Sequence, residues 1–162
     1  MAINVGDKVP NATLIHQKGD DVHHHELAEL MAGRRVVIFG LPGAYTGICS
    51  SAHLPSFIRT ADDFRAKGID DVICISVNDV RVMNHWGEST GANDAGILML
   101  ADWDSEFAKA TGLEFTNPHT GLKDRLSRFA LLAEDGVAKI VQYEEDHSVC
   151  NLTAGETLLE LV

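Results

Sequence analysis

The sequence predicts an α/β fold in which helices flank a mixed central sheet, and three observations lead to this class. Two continuous apolar runs, residues 35–41 and 71–77, are typical of strands that are covered on both faces of a sheet. A segment whose apolar residues recur at helical spacing follows the first run, and a capped segment that also indicates a helix follows the second. An Asp135-Gly136 step then joins two further apolar runs, as in a β-hairpin. The order of elements therefore indicates an α/β sandwich with a mixed sheet.

Each predicted element has a signal of its own. Apolar residues recur every three or four positions from Leu54 to Phe64, which indicates a helix, and Asn78 or Asp79 is a suitable cap for the next one. We predict strands at 35–41, 71–77, 97–101, 127–133 and 137–143, and helices at 50–67, 79–88, 105–111 and 153–161. This order fits one domain, residues 1–162, with a thioredoxin-like arrangement.

Composition excludes several classes of function. The chain has 162 residues, enough for one sizeable core, and its 13 basic and 24 acidic residues give a net charge of −11. Such a surface repels nucleic acids and anionic membranes, so neither is expected as a partner. No apolar run approaches the roughly 18 residues of a membrane span, and no signal peptide is evident. We therefore expect a cytoplasmic protein.

Three cysteines, Cys49, Cys74 and Cys150, are too few and too odd in number for a disulfide framework. In a reducing compartment each is either a small buried apolar residue or a reactive thiol. The cysteines therefore direct attention to thiol chemistry rather than to structural cross-links.

Cys49 has the most informative surroundings. The segment from Pro42 to Ser50 follows a buried strand and leads into a helix, a place where α/β proteins commonly bind ligands. The free N–H groups and the positive dipole end of a helix favour a thiolate over a thiol. Cys49 is therefore a candidate nucleophile.

Neighbouring residues supply other parts of a thiolate site. Thr46 precedes Cys49 by three residues, so in a tight turn its hydroxyl can reach the sulfur or a bound oxygen. Pro42 lacks an N–H group and shapes the loop without competing for hydrogen bonds. The chemistry also requires an arginine beside the thiolate, and the sequence alone offers several candidates, among them Arg125 and Arg128.

The pattern Pro-x-x-x-Thr-x-x-Cys, from Pro42 to Cys49, resembles the active-site signature of peroxiredoxins. Further segments resemble the type II, or peroxiredoxin-5-like, subfamily, and they occur in its order: 5–10, 39–46, 49–55, 75–79, 85–87, 100–102, 106–107, 128–131 and 135–137. The resemblance covers nearly the whole chain.

The resemblance implies a thiol-dependent peroxidase that reduces hydrogen peroxide and organic hydroperoxides. Cys49 matches the cysteine that becomes a sulfenic acid, Thr46 the threonine that binds the peroxide, and Arg128 the arginine that orients it. Pro42 matches the proline that shields the pocket. The backbone N–H groups of Ile48 and Cys49 would face the attacked oxygen. Gly43, together with Ile48, is expected to bind the substrate. No metal or organic cofactor is implied.

Two residues depart from the family pattern. Gly47 follows Thr46 where a proline is usual, and glycine leaves the loop less preorganised. Tyr45 stands where phenylalanine is usual and adds a hydroxyl at the pocket rim or at a subunit contact. We expect these changes to affect rate and substrate preference rather than the reaction.

The thiol that regenerates Cys49 is left open. Cys74 lies in an apolar run, which favours a buried core residue. In some plant-type relatives, however, a cysteine at this distance from the peroxidatic cysteine has been considered a resolving thiol. Cys150 lies in a polar loop, near the position of the resolving cysteine in animal members, and is a resolver or a bystander. Glutathione or glutaredoxin would reduce Cys49 directly if neither thiol resolves, and thioredoxin would act after an internal disulfide.

Histidines invite a second interpretation. His23, His24 and His25 suggest a metal site, but neighbouring side chains alternate in direction and no paired ligands are evident, so we predict a solvated turn and no metal. His53 occupies a position where family members carry histidine, and we predict a structural role in packing or hydrogen bonding.

Other functions fit the sequence less well. A thiol–disulfide oxidoreductase needs Cys-x-x-Cys, and Ala52 stands where the second cysteine would be. A redox sensor or chaperone using only Cys49 would not need Arg128 and Thr46, and a copper chaperone would need a second nearby cysteine. The resemblance also suggests a homodimer packed through the active-site end.

Overall fold

The computed structural model describes residues 2–162 and confirms the α/β class with a mixed sheet flanked by helices. Its strands are β1 (Thr13–Lys18), β2 (Asp21–Glu26), β3 (Arg35–Leu41), β4 (Asp71–Ser76), β5 (Leu98–Ala101), β6 (Glu114–Asn117), β7 (Leu122–Leu126), β8 (Phe129–Glu134) and β9 (Val137–Tyr143). Its helices are α1 (Leu27–Met31), a π-helical turn (Cys49–His53), α2 (Leu54–Ala66), α3 (Val80–Thr90), α4 (Glu106–Ala110) and α5 (Gly155–Leu161).

The main sheet has the strand order β2-β1-β5-β4-β3-β8-β9. Strands β3, β4 and β5 are parallel, whereas β1 and β8 run antiparallel to their neighbours. The three parallel strands are the apolar runs of the sequence, because helices cover both faces of the sheet there. Phe39 of β3 is paired with Cys74 of β4, and both are fully buried.

Several predicted boundaries agree with the structure. Strands β3 and β9 have the predicted limits, and α3 begins beside Asp79, whose carboxylate accepts hydrogen bonds from the N–H groups of Arg81 and Val82. The long helix differs at its beginning. The chain is already helical before Ser50, and residues Cys49–His53 form a π-helical turn that continues into α2.

The turn predicted for His23, His24 and His25 is wrong, because all three lie in strand β2 at the edge of the sheet. The hairpin of β1 and β2 was not predicted, since its strands are polar and half-exposed and lack a continuous apolar run. The same reason applies to the small hairpin of β6 and β7, which forms a separate two-stranded sheet. That hairpin contributes one wall of the candidate site described next.

Candidate active site

Cys49 lies just beyond the carboxyl end of β3, at the beginning of the π-helical turn. Pro42 and Gly43 end the strand, and the backbone then turns so that the N–H of Thr46 donates to the Gly43 carbonyl at 3.4 Å. The N–H of Ser50 donates to the Thr46 carbonyl at 3.0 Å, which starts the helical hydrogen bonding. The N–H groups just before Ser50 therefore lie where a helix has no internal acceptors, next to the sulfur of Cys49.

The π-helical turn is closed by a wider bond than that of an α-helix, from the N–H of Leu54 to the carbonyl of Cys49. Pro55 contributes to this geometry because it has no N–H group and its ring disfavours a regular α-helical turn before it. Single π-helical turns often occur at functional sites. Here the turn carries Cys49 and His53 into the protein interior, where both are buried.

Arg128 is the arginine whose side chain lies beside Cys49. Its Nη2 donates to the Sγ of Cys49 at 3.2 Å and to the carbonyl oxygen of His147 at 3.1 Å. The antiparallel pairing of β3 with β8, which matches Gly40 with Phe129, brings Arg128 to the end of β3. A buried guanidinium at this distance stabilises a thiolate and any negative charge that develops beside it.

Arg125 holds the loop rather than the sulfur. Its Nη1 donates to the Pro42 carbonyl at 3.1 Å. A Cβ atom at Gly43 would lie only 2.6 Å from that nitrogen, so glycine is needed for the arginine to reach the loop. Gly43, predicted to bind substrate, is not among the residues that line the pocket described below, and its carbonyl accepts from Thr46.

The hydroxyl of Thr46 donates to the Gly43 carbonyl at 2.8 Å, whereas the sequence indicated contact with the sulfur or a bound oxygen. This bond occupies the only proton of the hydroxyl and leaves its lone pairs free to accept. Thr46 also lines the pocket described next, so its hydroxyl oxygen is available there as an acceptor.

A pocket of about 410 Å³ is lined by Ile48 and Arg128, the neighbours of the buried Cys49, and its lining is largely apolar. Its walls include Pro42, Thr46, Ile48, Phe115, Arg128 and His147. Phe115 belongs to the hairpin of β6 and β7 and stacks on the ring of His147 with a centroid distance of 4.0 Å. Pro42, Thr46, Ile48 and Arg128 were identified in the sequence, whereas Phe115 and His147 were not, because their segments carry no motif.

The other thiols differ in their surroundings. Cys74 is fully buried in β4, and burial raises the pKa of its thiol well above the ordinary value, with the nearby Cys49 acting in the same direction. Cys150 is partly exposed, and its Sγ lies 3.7 Å from the Oγ1 of Thr153. Burial raises the pKa of Cys150, while Thr153 and Arg128 oppose that shift.

His53 makes contacts that the sequence did not reveal. Its Nδ1 lies 2.9 Å from the Nη1 of Arg128, and its Nε2 lies 3.0 Å from the carbonyl oxygen of Thr153. Burial, together with the adjacent charge of Arg128, holds the pKa of His53 well below its usual range. The predicted structural role is therefore incomplete, since His53 touches the arginine of the site.

His16, His23 and His25 face one another on the β1–β2 hairpin, with ring centroids 6.0 to 6.5 Å apart. Across residues 2–162 no group of three histidine, cysteine or carboxylate side chains is arranged to hold a metal ion. Within the same range, no helix has the length and apolar character needed to cross a bilayer.

Comparison with known proteins gives one consistent result. The family model described as Redoxin matches residues 4–157. Peroxiredoxin-2E-2 of rice (Oryza sativa subsp. japonica), described as chloroplastic, is 44% identical over 163 residues, which covers 98% of this chain and 72% of the rice protein.

Solved structures agree with the sequence comparison. Reduced Prx3 from Vibrio vulnificus, crystallised in complex with H2O2, is 42% identical and superimposes with a TM-score of 0.90 over 98% of both chains. Peroxiredoxin 5 from Alvinella pompejana is 28% identical, with a TM-score of 0.83 over 98% of this chain and 96% of that one.

Proposed function

The chain belongs to the redoxin family and is a type II peroxiredoxin, a thiol-dependent peroxidase, and on this premise we propose that Cys49 is the thiol that attacks the peroxide. The observation that supports this assignment is the 3.2 Å contact between its Sγ and the Nη2 of Arg128. Arg128 also lines the pocket, so a peroxide bound there would meet the guanidinium that contacts the sulfur.

In the proposed step the Cys49 thiolate attacks one oxygen of the peroxide. An S–O bond forms as the O–O bond breaks, and the sulfur is oxidised to a sulfenic acid by two electrons. The leaving oxygen takes a proton from solvent and departs as water, or as an alcohol from an organic hydroperoxide. Arg128 stabilises the thiolate before the attack and the charge on the leaving oxygen during it.

Thr46, Pro42 and Ile48 position the substrate in this proposal. The Thr46 hydroxyl donates to Gly43, so it accepts the proton of the peroxide and directs the attacked oxygen toward the sulfur. Pro42 and Ile48 are apolar residues of the pocket lining and restrict water around the thiolate. The size of the pocket, about 410 Å³, admits an organic hydroperoxide as well as hydrogen peroxide.

For the second step we favour Cys150 over Cys74 as the resolving thiol. Cys74 is fully buried within β4, so it cannot leave the sheet without breaking strand hydrogen bonds. Cys150 follows His147, whose carbonyl contacts Arg128, and it is partly exposed. Its thiol would attack the sulfenic sulfur of Cys49, form a disulfide and release water, and a thioredoxin-type reductant would reduce that disulfide.

Intact mass after one equivalent of hydrogen peroxide tests both steps. We expect the reduced wild type to lose about two mass units as a disulfide forms, and Cys150→Ser to gain about 16 as the sulfenic acid persists. No oxidation at Cys49 in either protein would refute its role, and Cys49→Ser is the negative control. An equal gain of mass on Cys49 in the wild type and in Cys150→Ser would instead favour direct reduction by glutathione or glutaredoxin.

Turnover with excess thiol distinguishes a peroxidase from a single-use sensor. We expect many equivalents of peroxide to be consumed per Cys49, because Arg128 and Thr46 supply groups that a sensor does not need. Consumption of a single equivalent would contradict the proposal.

We also propose a homodimer that packs through the active-site end. Tyr45 supports this, because it lies next to Thr46 and 53% of its surface is exposed. Sedimentation equilibrium of wild type and Tyr45→Glu tests it, since a buried negative charge would dissociate such a dimer. We also propose that the protein is located in the cytoplasm, which fractionation of the source cells would test.

A further inference from the structure

His53 lies outside the peroxide pocket but contacts the arginine of the site. It is fully buried, and its imidazole connects Arg128 on one side with the Thr153 carbonyl on the other. Phe39 and Phe57 pack against the ring, with centroid distances of 5.2 and 5.6 Å, and hold it in one orientation. The proposed reaction does not use this imidazole.

The two contacts of His53 determine which nitrogen carries the proton. A carbonyl oxygen only accepts hydrogen bonds, so Nε2 must donate to Thr153. The guanidinium of Arg128 only donates, so the Nδ1 of His53 must accept. His53 is therefore neutral in this arrangement, because a second N–H group would point at the guanidinium.

Neutrality matters because of what surrounds Arg128. Three groups accept from its terminal nitrogens: the Nδ1 of His53, the carbonyl of His147 and the Sγ of Cys49. The first two are uncharged, and no carboxylate forms a salt bridge with Arg128 within residues 2–162. The imidazole and the carbonyl thus fix the guanidinium without neutralising it.

We propose that His53 is a positioning residue, a neutral acceptor that aims Arg128 at Cys49 and leaves the thiolate as the only anion paired with the guanidinium. A carboxylate in its place would hold the arginine equally well but would weaken its effect on the sulfur. This inference rests on the proposed role of Cys49, and it adds a requirement for the tautomer of a buried histidine.

His53 also connects the arginine to the segment that carries Cys150. Its donor bond holds the Thr153 carbonyl, while the N–H and hydroxyl of Thr153 donate to the carboxylate of Glu144 at 2.9 and 3.0 Å. The segment between Glu144 and Thr153 includes His147, the other neutral acceptor of Arg128. One imidazole therefore anchors the guanidinium and the end of the loop that covers it.

Two amide substitutions separate these contacts. In His53→Asn the side-chain oxygen lies near the position of Nδ1 and still accepts from Arg128, whereas in His53→Gln the amide extends to the position of Nε2 and keeps only the Thr153 bond. We expect His53→Asn to react with hydrogen peroxide within about threefold of wild type, and His53→Gln to lose roughly 10- to 100-fold.

Alkylation of Cys49 by iodoacetamide as a function of pH provides a readout without peroxide, in a Cys74→Ala, Cys150→Ser background. We expect the midpoint of His53→Gln to move to higher pH and that of His53→Asn to stay near the reference. Equal midpoints in the two variants would overturn the inference. Loss of peroxide reaction in the wild type, with normal alkylation, would instead refute the proposed function.

Nitrogen NMR of the wild type tests the tautomer without any variant, which matters if a substitution prevents folding. We expect a proton on Nε2 and a hydrogen-bonded, unprotonated Nδ1 at neutral pH. An imidazolium, or a proton on Nδ1, would overturn the inference.

Discussion

Cys49 and Cys74 lie in the same hydrophobic core, and both are almost completely buried, at 1% and 0% exposure. Their surroundings nevertheless differ in kind. Cys49 lies beyond the end of a strand, at the beginning of a helical turn, with a guanidinium 3.2 Å from its sulfur. Cys74 lies within β4, where burial raises the pKa of its thiol well above the ordinary value.

Burial by itself does not favour the reactive form of a cysteine. Removing water disfavours a thiolate, so a buried thiol stays protonated unless fixed charges or dipoles compensate. Strand ends can provide such groups, because loops and helix ends converge there. The interior of a strand cannot, because its backbone groups are bonded to neighbouring strands.

The largest expected effect is on the charge beside Cys49. Arg128→Gln removes it, and we expect the second-order rate constant with hydrogen peroxide to fall roughly 100- to 1000-fold. Arg125→Gln is the matched control, since that side chain donates to the Pro42 carbonyl rather than to the sulfur. Stopped-flow measurement of both variants makes the test. Equal losses would mean that general positive charge, rather than the contact with Cys49, is responsible.

Substitutions of Cys74 test the expectation for the cysteine that lies within a strand. Cys74→Ser introduces a hydroxyl without a partner among apolar residues, and we expect it to lower the free energy of unfolding by about 1–3 kcal/mol. Cys74→Ala should cost less, and both variants should oxidise Cys49 at the wild-type rate. Urea unfolding and peroxide kinetics provide the two measurements. If turnover fails in both variants while the first oxidation is normal, Cys74 rather than Cys150 is the resolving thiol.

The pH dependence of stability tests whether the same burial acts on His53. Its pKa is lowered in the folded protein, so below about pH 6.5 the unfolded chain binds a proton that the folded chain does not. The free energy of unfolding should therefore decrease as the pH falls from about 6.5, by up to about 1.4 kcal/mol per pH unit.

His53→Asn should remove that part of the dependence. The part due to His16 and His147 should remain, because the pKa of each is also lowered by burial. Urea titrations of both proteins between pH 5 and pH 7.5 would measure the difference. Parallel curves for wild type and variant would show that His53 does not titrate on unfolding.

The smallest expected effect concerns the loop before Cys49. Gly47 has a φ outside the left-handed region, and a Cβ atom there would meet nothing within 4 Å. It begins the helical segment, where proline is well tolerated. We expect Gly47→Pro to stabilise the protein by about 0.4–1 kcal/mol and to raise the melting temperature slightly.

Differential scanning calorimetry of Gly47→Pro, with Gly47→Ala as the control, makes that measurement. A lower melting temperature for the proline variant alone would show that the N–H of Gly47 is needed.

The sequence predicted the parts of the molecule that have local signals. Apolar runs located β3 and β4, and the Asp135-Gly136 step located the hairpin of β8 and β9. The polar edge hairpin of β1 and β2 was missed, because cross-strand pairing rather than apolar pattern forms it.

The site was predicted only in part for a related reason. Cys49 and Arg128 are 79 positions apart, so spacing alone left Arg125 as an equal candidate, and only the family resemblance indicated Arg128. The pairing of β3 with β8 explains how Arg128 comes to lie beside Cys49. The contact of His53 with Arg128 has no local signature, since it joins residues 75 positions apart and arises from tertiary packing.

If Cys49 is the attacking thiol, its burial has a kinetic consequence after the first oxidation, since Cys49 is 1% exposed. A second small peroxide would enter through the pocket beside it, whereas Cys150 or a protein reductant would need the π-helical turn to open. The sulfenic acid would then partition between overoxidation, whose rate rises with peroxide concentration, and rescue, whose rate is set by opening. On the proposed function, the stability of five residues, Cys49–His53, would thus set the peroxide concentration at which the enzyme inactivates itself.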